Sequence, residues 1–254
     1  NHVSGDASFE GASTKRSVLV PDRDFDFLVH LGEYSRVEQS VQQPIFVLQN
    51  NIQPIFSILE FVYQCSKCKL IYSGSSTKFG DGGRSIQESP YAFSKNTNSS
   101  IVSYYCKEWN LDYAISYFYN VYGRNELGSG KFSTVVAKFK NLYLAGEPLT
   151  VVGDGKQRRN FTHIDDIISG VVKVAEKGIG DNYGIGSNKS VSIVELAQMF
   201  KSPITFLPDR KGNRSDTELI TKKTKELGWE AVNDIDSHIQ EFLRGIEAPH
   251  INTL

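Results

Sequence analysis

The chain has 254 residues, of which 39% are hydrophobic and 22% charged, with a formal net charge of -1. That length suits one large α/β domain, or a domain with a smaller lobe. The balanced charge excludes a global field that would draw in nucleic acid or an anionic membrane, so any anion must be held by locally placed basic residues.

The first two dozen residues carry no clear period. Asp26-Phe27-Leu28-Val29-His30-Leu31 reads as a buried strand. Ile45, Leu48, Ile52, Ile55, Leu59 and Val62 then recur at spacings of three and four, which predicts a helix over 41–65. No apolar run reads as long enough to cross a bilayer, and no signal peptide is recognised, so we expect no membrane partner. Cys65, Cys68 and Cys106 are too few, and odd in number, for a disulfide framework. They fit a reducing compartment, and the cytoplasm is the expected location. Cys65-x-x-Cys68 has no second Cys/His pair at zinc spacing, so we read it as structural and expect no metal.

Lys69-Leu70-Ile71-Tyr72-Ser73 is a second short apolar run that ends in Gly74 and a Ser/Thr cluster, a strand entering a loop. Ser89 can cap the next helix and Pro90 suits its first turn; that helix runs to about Trp109. Tyr113–Phe118 is the following strand. This alternation implies parallel βαβ units and a doubly wound sheet. After Gly123 the elements shorten. Thr150–Val152 reads as a strand before the turn Gly153-Asp154-Gly155, with helices over Ile164–Glu176, Ser192–Phe200 and Ile235–Leu243.

Tyr91 and Lys95, four residues apart on one predicted helix, share a face. An ammonium beside a phenol favours the phenolate, so a Tyr-x-x-x-Lys pair can act as a general base. Without further context the plainer reading, a surface Lys beside a half-buried Tyr, is favoured. Ser73-Gly74-Ser75-Ser76-Thr77 follows a strand, where open α/β sheets form their ligand crevice. A hydroxyl there can bond a substrate oxygen beside the phenol. Tyr119-Asn120-Val121-Tyr122-Gly123 ends the next strand in the same way.

With these pieces in order, the chain resembles the nucleotide-sugar epimerase/dehydratase family of extended short-chain dehydrogenases. The matching stretches are HLGEYSRVEQS (30–40), YSGSSTKFG (72–80), SPYAFSK (89–95), YFYNVYG (117–123), EPLTVVGDGKQRRNFTHIDD (147–166), YGIGSNKSVSIVELA (183–197) and DRKGNRSD (209–216). The resemblance implies an α/β fold: a Rossmann-like doubly wound parallel sheet with a smaller C-terminal α/β substrate lobe. Residues 1–123 would form the NAD-binding domain and 124–254 mainly the sugar-nucleotide lobe, with some segments returning to the sheet. It also implies NAD as cofactor, a nucleotide sugar as substrate, and a homodimer joined by the helices 41–65 and 91–108.

The roles implied by the resemblance follow the motifs. Ser75, Tyr91 and Lys95 would be catalytic. Leu31, Gly32, Ser35, Asn50, Ser73, Phe118 and Tyr119, with Tyr91 and Lys95, would line the cofactor. Ser75, Ser76, Asn120, Arg159, Arg210, Asn213 and Thr217 would hold the substrate, the arginines bonding its diphosphate through their planar forks. His163-Ile164-Asp165-Asp166 would be a capped helix start rather than a metal site.

The chain departs from the pattern at its beginning. The family opens with a strand, a Gly-rich turn and a helix whose start cradles the pyrophosphate, and no G-x-x-G-x-x-G occurs in this sequence. With no Met at position 1, we expect these residues to be part of a longer protein, the other explanation being a chain that binds NAD poorly. The dehydratase branch carries an Asp-Glu pair at the positions of Ser76 and Thr77, and decarboxylating relatives a Glu at Thr77. The resemblance therefore implies a C4 epimerase acting through a transient 4-keto sugar. The alternatives are a dehydratase or reductase of the same family, or a non-catalytic nucleotide-sugar-binding relative.

Overall fold

A computed structural model describes residues 25–65, 67–80, 87–130, 132–209 and 217–247. It opens with β1 (Phe27–His30), α1 (Val37–Gln42), α2 (Pro44–Gln64) and β2 (Lys69–Ser75), then a 3-10 turn, Ser76–Phe79. α3 (Pro90–Glu108), β3 (Tyr113–Phe118) and β4 (Val121–Tyr122) follow. The second half holds α4 (Val135–Leu144), β5 (Leu149–Val152), β6 (Arg158–Arg159), β7 (Thr162–His163), α5 (Ile164–Lys177), β8 (Gly180–Ile185), β9 (Val191–Ser192), α6 (Ile193–Met199), β10 (Ile204–Leu207), α7 (Lys222–Glu226) and α8 (Ile235–Glu247).

The main sheet has the order β1-β2-β3-β8, with every pair parallel. Successive strand side chains point to opposite faces, so a strand buried on both sides feeds two cores. β2 does this: Leu70 and Tyr72 join Ile55, Leu59, Val62, Val102 and Ile115 under α2 and α3, whereas Ile71 joins Ala114, Ile167, Val174 and Trp229 under α5. Helices therefore cover both faces. A third core, built on Tyr122, Phe139, Leu149, Phe161, Leu196, Phe200 and Ile239, belongs to the smaller α/β part. β8 carries the late sequence back into the main sheet beside β3. Among the described residues β1 and β8 are the edge strands of this sheet, and Phe27 and Val29 of β1 are exposed, where the sequence predicts a buried strand.

Gly74 shows how local sequence serves the sheet. It pairs with Tyr117 across β2 and β3, and a Cβ there would lie 2.4 Å from the Tyr117 ring. The glycine thus makes room for a fully buried aromatic beside the Ser-Gly-Ser segment. α3 begins where expected, with the Ser89 hydroxyl accepting from the Ala92 N–H and Pro90 in the first turn. α5 likewise begins at His163, whose ring accepts from the Asp165 N–H.

Two expectations need correction. The helix over 41–65 is two helices that meet at Gln43, with Pro44 starting the second. The buried stripe of α2 is Val47, Asn51, Ile55, Leu59 and Val62, whereas Ile45 is exposed. Apolar residues occupy both faces of this helix, so periodicity alone misassigns its inner side. α2 is 21 residues long and contains an 18-residue window of mean hydropathy 1.2, which also meets the length and composition of a membrane span. Gln49, Asn50, Asn51 and Gln53 interrupt the apolar run and hid this feature from the sequence reading. In the fold α2 packs by one face on the sheet and on α3.

Candidate active site

The site forms at the carboxyl ends of β1, β2 and β3, where a parallel sheet opens its crevice. Ser75 is the last residue of β2 and caps the 3-10 turn. Its Oγ accepts from the Thr77 N–H at 3.3 Å and from the Thr77 hydroxyl at 3.1 Å. Both bonds use Ser75 Oγ as acceptor, so its own proton remains to be donated. Ser73 donates to the His30 carbonyl at 2.9 Å, tying β2 to β1. Ser76 and Thr77 are both buried in the turn.

Lys95 is buried at 5% exposure, and its Nζ donates to the Ser73 carbonyl at 2.7 Å. This fixes α3 to the strand that carries Ser75. Tyr91 lies one turn earlier on the same face, with its hydroxyl in electrostatic range of Arg36 and Tyr72. Burial lowers the Arg36 guanidinium's proton affinity, and the neighbouring Tyr91 and Tyr34 oppose that.

Lys95 also meets a carboxylate. Glu33, in the turn after β1, places Oε2 2.7 Å from Nζ, and its side chain is 0% exposed. Tyr72 donates to both Glu33 oxygens at 2.9 and 3.0 Å, and Asn98 donates to Oε1 at 2.9 Å. His30 Nε2 lies 3.4 Å away. Burial alone would raise the Glu33 carboxyl, but His30, Lys95 and Asn98 outweigh it and hold the group below the usual carboxylate range. Burial, reinforced by the Glu33 charge, pushes the Tyr72 phenol far above its ordinary value.

The loop 31–36 that would face the cofactor is held by Asn51. Its side chain accepts from the Tyr34 N–H at 2.7 Å and donates to the Tyr34 carbonyl at 3.1 Å and to Ser94 Oγ at 2.9 Å. Asn50, the residue expected here, is exposed and donates to the Phe46 carbonyl of its own helix. The correction is one of helical register: adjacent residues point about 100° apart, and only Asn51 shares the stripe of Val47 and Ile55. Leu31 is 59% exposed, and Gly32 and Ser35 are exposed beside it.

Phe118 is half-buried at the end of β3. Tyr119, expected at the cofactor, is 1% exposed, and its hydroxyl donates to the Glu218 carbonyl and accepts from the Ile220 N–H. It anchors the 218–220 segment. Thr217 pairs with Gly80 just beyond the 3-10 turn, which brings this expected substrate residue next to the Ser75 segment. Asn120 sits at φ +26, a conformation that Asn tolerates better than most residues. Asn120 and Arg159 both line a cleft of about 1000 Å³, with Arg36, Gln39, Thr134 and Gln157 among its other walls. Arg210 and Asn213 lie outside the described residues.

Lys95, the exposed Leu31 and Gly32, and the half-buried Phe118 are the residues here that could hold the nicotinamide-ribose half of NAD. No described segment supplies a Gly-rich pyrophosphate turn. Sequence reasoning missed Glu33, Asn51, Tyr72 and Asn98. A charged residue three positions past the first strand was the one available signal for Glu33.

A family model described as the NAD dependent epimerase/dehydratase family matches residues 11–186. A dTDP-D-glucose 4,6-dehydratase of Dictyostelium discoideum is 30% identical over 193 residues, covering 68% of this chain and 44% of that protein. The structure of a UDP-glucose 4-epimerase from Thermotoga maritima with UDP-glucose superposes with a TM-score of 0.79 at 25% identity, over 88% of this chain and 78% of that one. A Thermus thermophilus UDP-glucose 4-epimerase in complex with NAD gives 0.77 at 21% identity, over 88% of this chain and 78% of that one. With its parallel Rossmann-like sheet and a family match over most of its length, this chain belongs to the NAD-dependent epimerase/dehydratase family, whose members are enzymes that use NAD.

Proposed function

We propose that this chain is a nucleotide-sugar epimerase that inverts C4 of a UDP-sugar or a similar substrate. The observation that carries the reading is the Ser75 segment. At the two positions after the serine stand Ser76 and Thr77, both buried, with the Thr77 hydroxyl bonded to Ser75. Neither can act as a carboxylic acid, and loss of water from the sugar needs one.

In this reading Tyr91 takes the proton of the sugar 4-hydroxyl and later returns it to that oxygen once C4 is inverted. Ser75 donates to the same oxygen and holds it while charge develops. Lys95 keeps Tyr91 and β2 in register. Arg159 and Asn120 anchor the nucleotide end in the cleft, so that the sugar can turn while its diphosphate stays in place. NAD, when bound, supplies the hydride acceptor and donor at C4, and it is regenerated each cycle. The small Thr217 leaves room for an N-acetyl group.

We further infer a homodimer joined through α2 and α3. Their outer faces carry Ile45, Phe56, Tyr63, Tyr104 and Trp109, all exposed. Exposed apolar side chains concentrated on two adjacent helices mark an association surface.

The test is an assay on plain and N-acetylated UDP-hexoses with NAD, read for product and for nicotinamide absorbance together. C4 inversion without net absorbance gain supports the reading. Steady gain indicates a dehydrogenase, a 4-keto-6-deoxy product indicates a dehydratase, and either overturns it.

A further inference from the structure

Glu33 is the least expected residue of the site. A buried carboxylate is costly unless it is paired and hydrogen-bonded. Here the pairing is dense: Lys95 and Asn98 from α3, Tyr72 from β2 and His30 from β1 all converge on it. With its side chain 0% exposed, Glu33 does not face a ligand. Its effect must pass through Lys95.

Lys95 has three N–H donors. One meets the Ser73 carbonyl and one meets Glu33, both at 2.7 Å. The same ammonium lies 5.3 Å from the centre of the Tyr72 ring. An unpaired ammonium one helical turn from Tyr91 would favour the phenolate strongly. A carboxylate at contact distance from that ammonium offsets much of its field. Among the described residues, the other charged or titratable groups facing this set are Arg36 and Tyr72 toward Tyr91, Tyr34 toward Arg36, and His30 toward Glu33.

We propose that Glu33 is a positioning residue for Lys95: it locks the ammonium against the Ser73 carbonyl and offsets its charge, so that the ease with which Tyr91 gives up its proton is set by the Glu33–Lys95 pair. The proposal rests on the reading of Tyr91 as the base. It makes Glu33 a residue that shifts the working pH of the site without touching substrate.

The test uses Glu33→Gln, which keeps the shape and removes the charge. With Lys95 no longer offset, the acid limb of kcat/KM against pH moves to lower pH by about one unit, a roughly tenfold gain in rate on that side. A second readout needs neither cofactor nor turnover. Protein labelled with carbon-13 at the tyrosine ring Cζ is titrated, with the Tyr91 signal identified by its loss in Tyr91→Phe. In Glu33→Gln that signal changes at lower pH than in the parent. If Glu33→Gln does not fold, Glu33→Asp keeps the charge but lengthens the pair, and both readouts move the same way by less.

A variant that melts earlier but leaves both limb and resonance in place makes Glu33 merely structural and overturns the proposal. If no nucleotide sugar is turned over but the resonance moves, the epimerase reading falls and the Glu33 inference stands. If turnover proceeds and neither readout moves, the reverse holds.

Discussion

Lys95 Nζ donates to the Ser73 carbonyl at 2.7 Å, and this bond joins the helix that carries Tyr91 to the strand that carries Ser75. A general base and a substrate-oxygen donor must be held in fixed relation, because small displacements cost large factors in rate. Tyr91→Phe removes the proposed base and leaves the packing, so kcat should fall by about 10²- to 10⁴-fold with little change in melting temperature. Ser75→Ala should act in the same direction. Steady-state kinetics beside a thermal melt check both.

Asn51 and Asn50 make a paired test of the helix register. Asn51→Leu strips partners from the Tyr34 backbone and from Ser94, and should destabilise the chain by about 1–3 kcal/mol. Asn50→Leu, on the exposed side, should stay within about 0.5 kcal/mol. Urea unfolding measures the difference.

Arg159 lines the cleft with Asn120. If it anchors the diphosphate in ground and transition states alike, Arg159→Ala raises KM by about tenfold and leaves kcat nearly unchanged. A fall confined to kcat would place Arg159 in the chemical step instead.

Acid sensitivity should come partly from the smaller lobe. His238 packs against Tyr122 and His163, and its Nε2 lies 2.7 Å from Lys140 Nζ. Burial, with the charges of Lys140 and His163, holds its pKa down at about 4. The folded state then resists a proton that the unfolded state accepts, so stability is full above the ordinary histidine value of about 6.5 and declines as pH falls from there toward 4. His238 is partly exposed, so solvent screening reduces its share to about 1 kcal/mol. Melting temperature against pH should fall less steeply between pH 6.5 and 4 in His238→Gln than in the parent.

The proposed dimer predicts that Phe56→Glu, a change on an exposed face, converts a dimer to a monomer by light scattering with the fold retained. A parent that is monomeric at micromolar concentration would remove that surface from the account.

Much of this was legible because it is local. Tyr113–Phe118 is a strand with the predicted bounds, since breakers flank a β-rich run. Ser89 and Pro90 start α3 where their capping chemistry places them. The Tyr91–Lys95 spacing and the Ser75 hydroxyl at a strand end were visible for the same reason. What failed was tertiary. Asn50 and Asn51 are indistinguishable by type, and only the burial of Val47 and Ile55 decides between them. The Glu33 network joins residues as far as 65 positions apart, which no periodicity reports. α4 carries Lys138, Lys140 and Asn141 among its apolar positions and is held through Val136, Ala137 and Phe139 against the smaller core, so its pattern did not announce a helix.

The most direct test of the central claim is proton NMR of the protein with NAD and a UDP-hexose, started separately from each C4 epimer. The account predicts that both reactions reach the same mixture of the two epimers, with no net reduction of NAD, and that Tyr91→Phe stops both. Conversion that runs to a dehydrated or oxidised sugar, or no conversion by protein that demonstrably binds NAD, would contradict it.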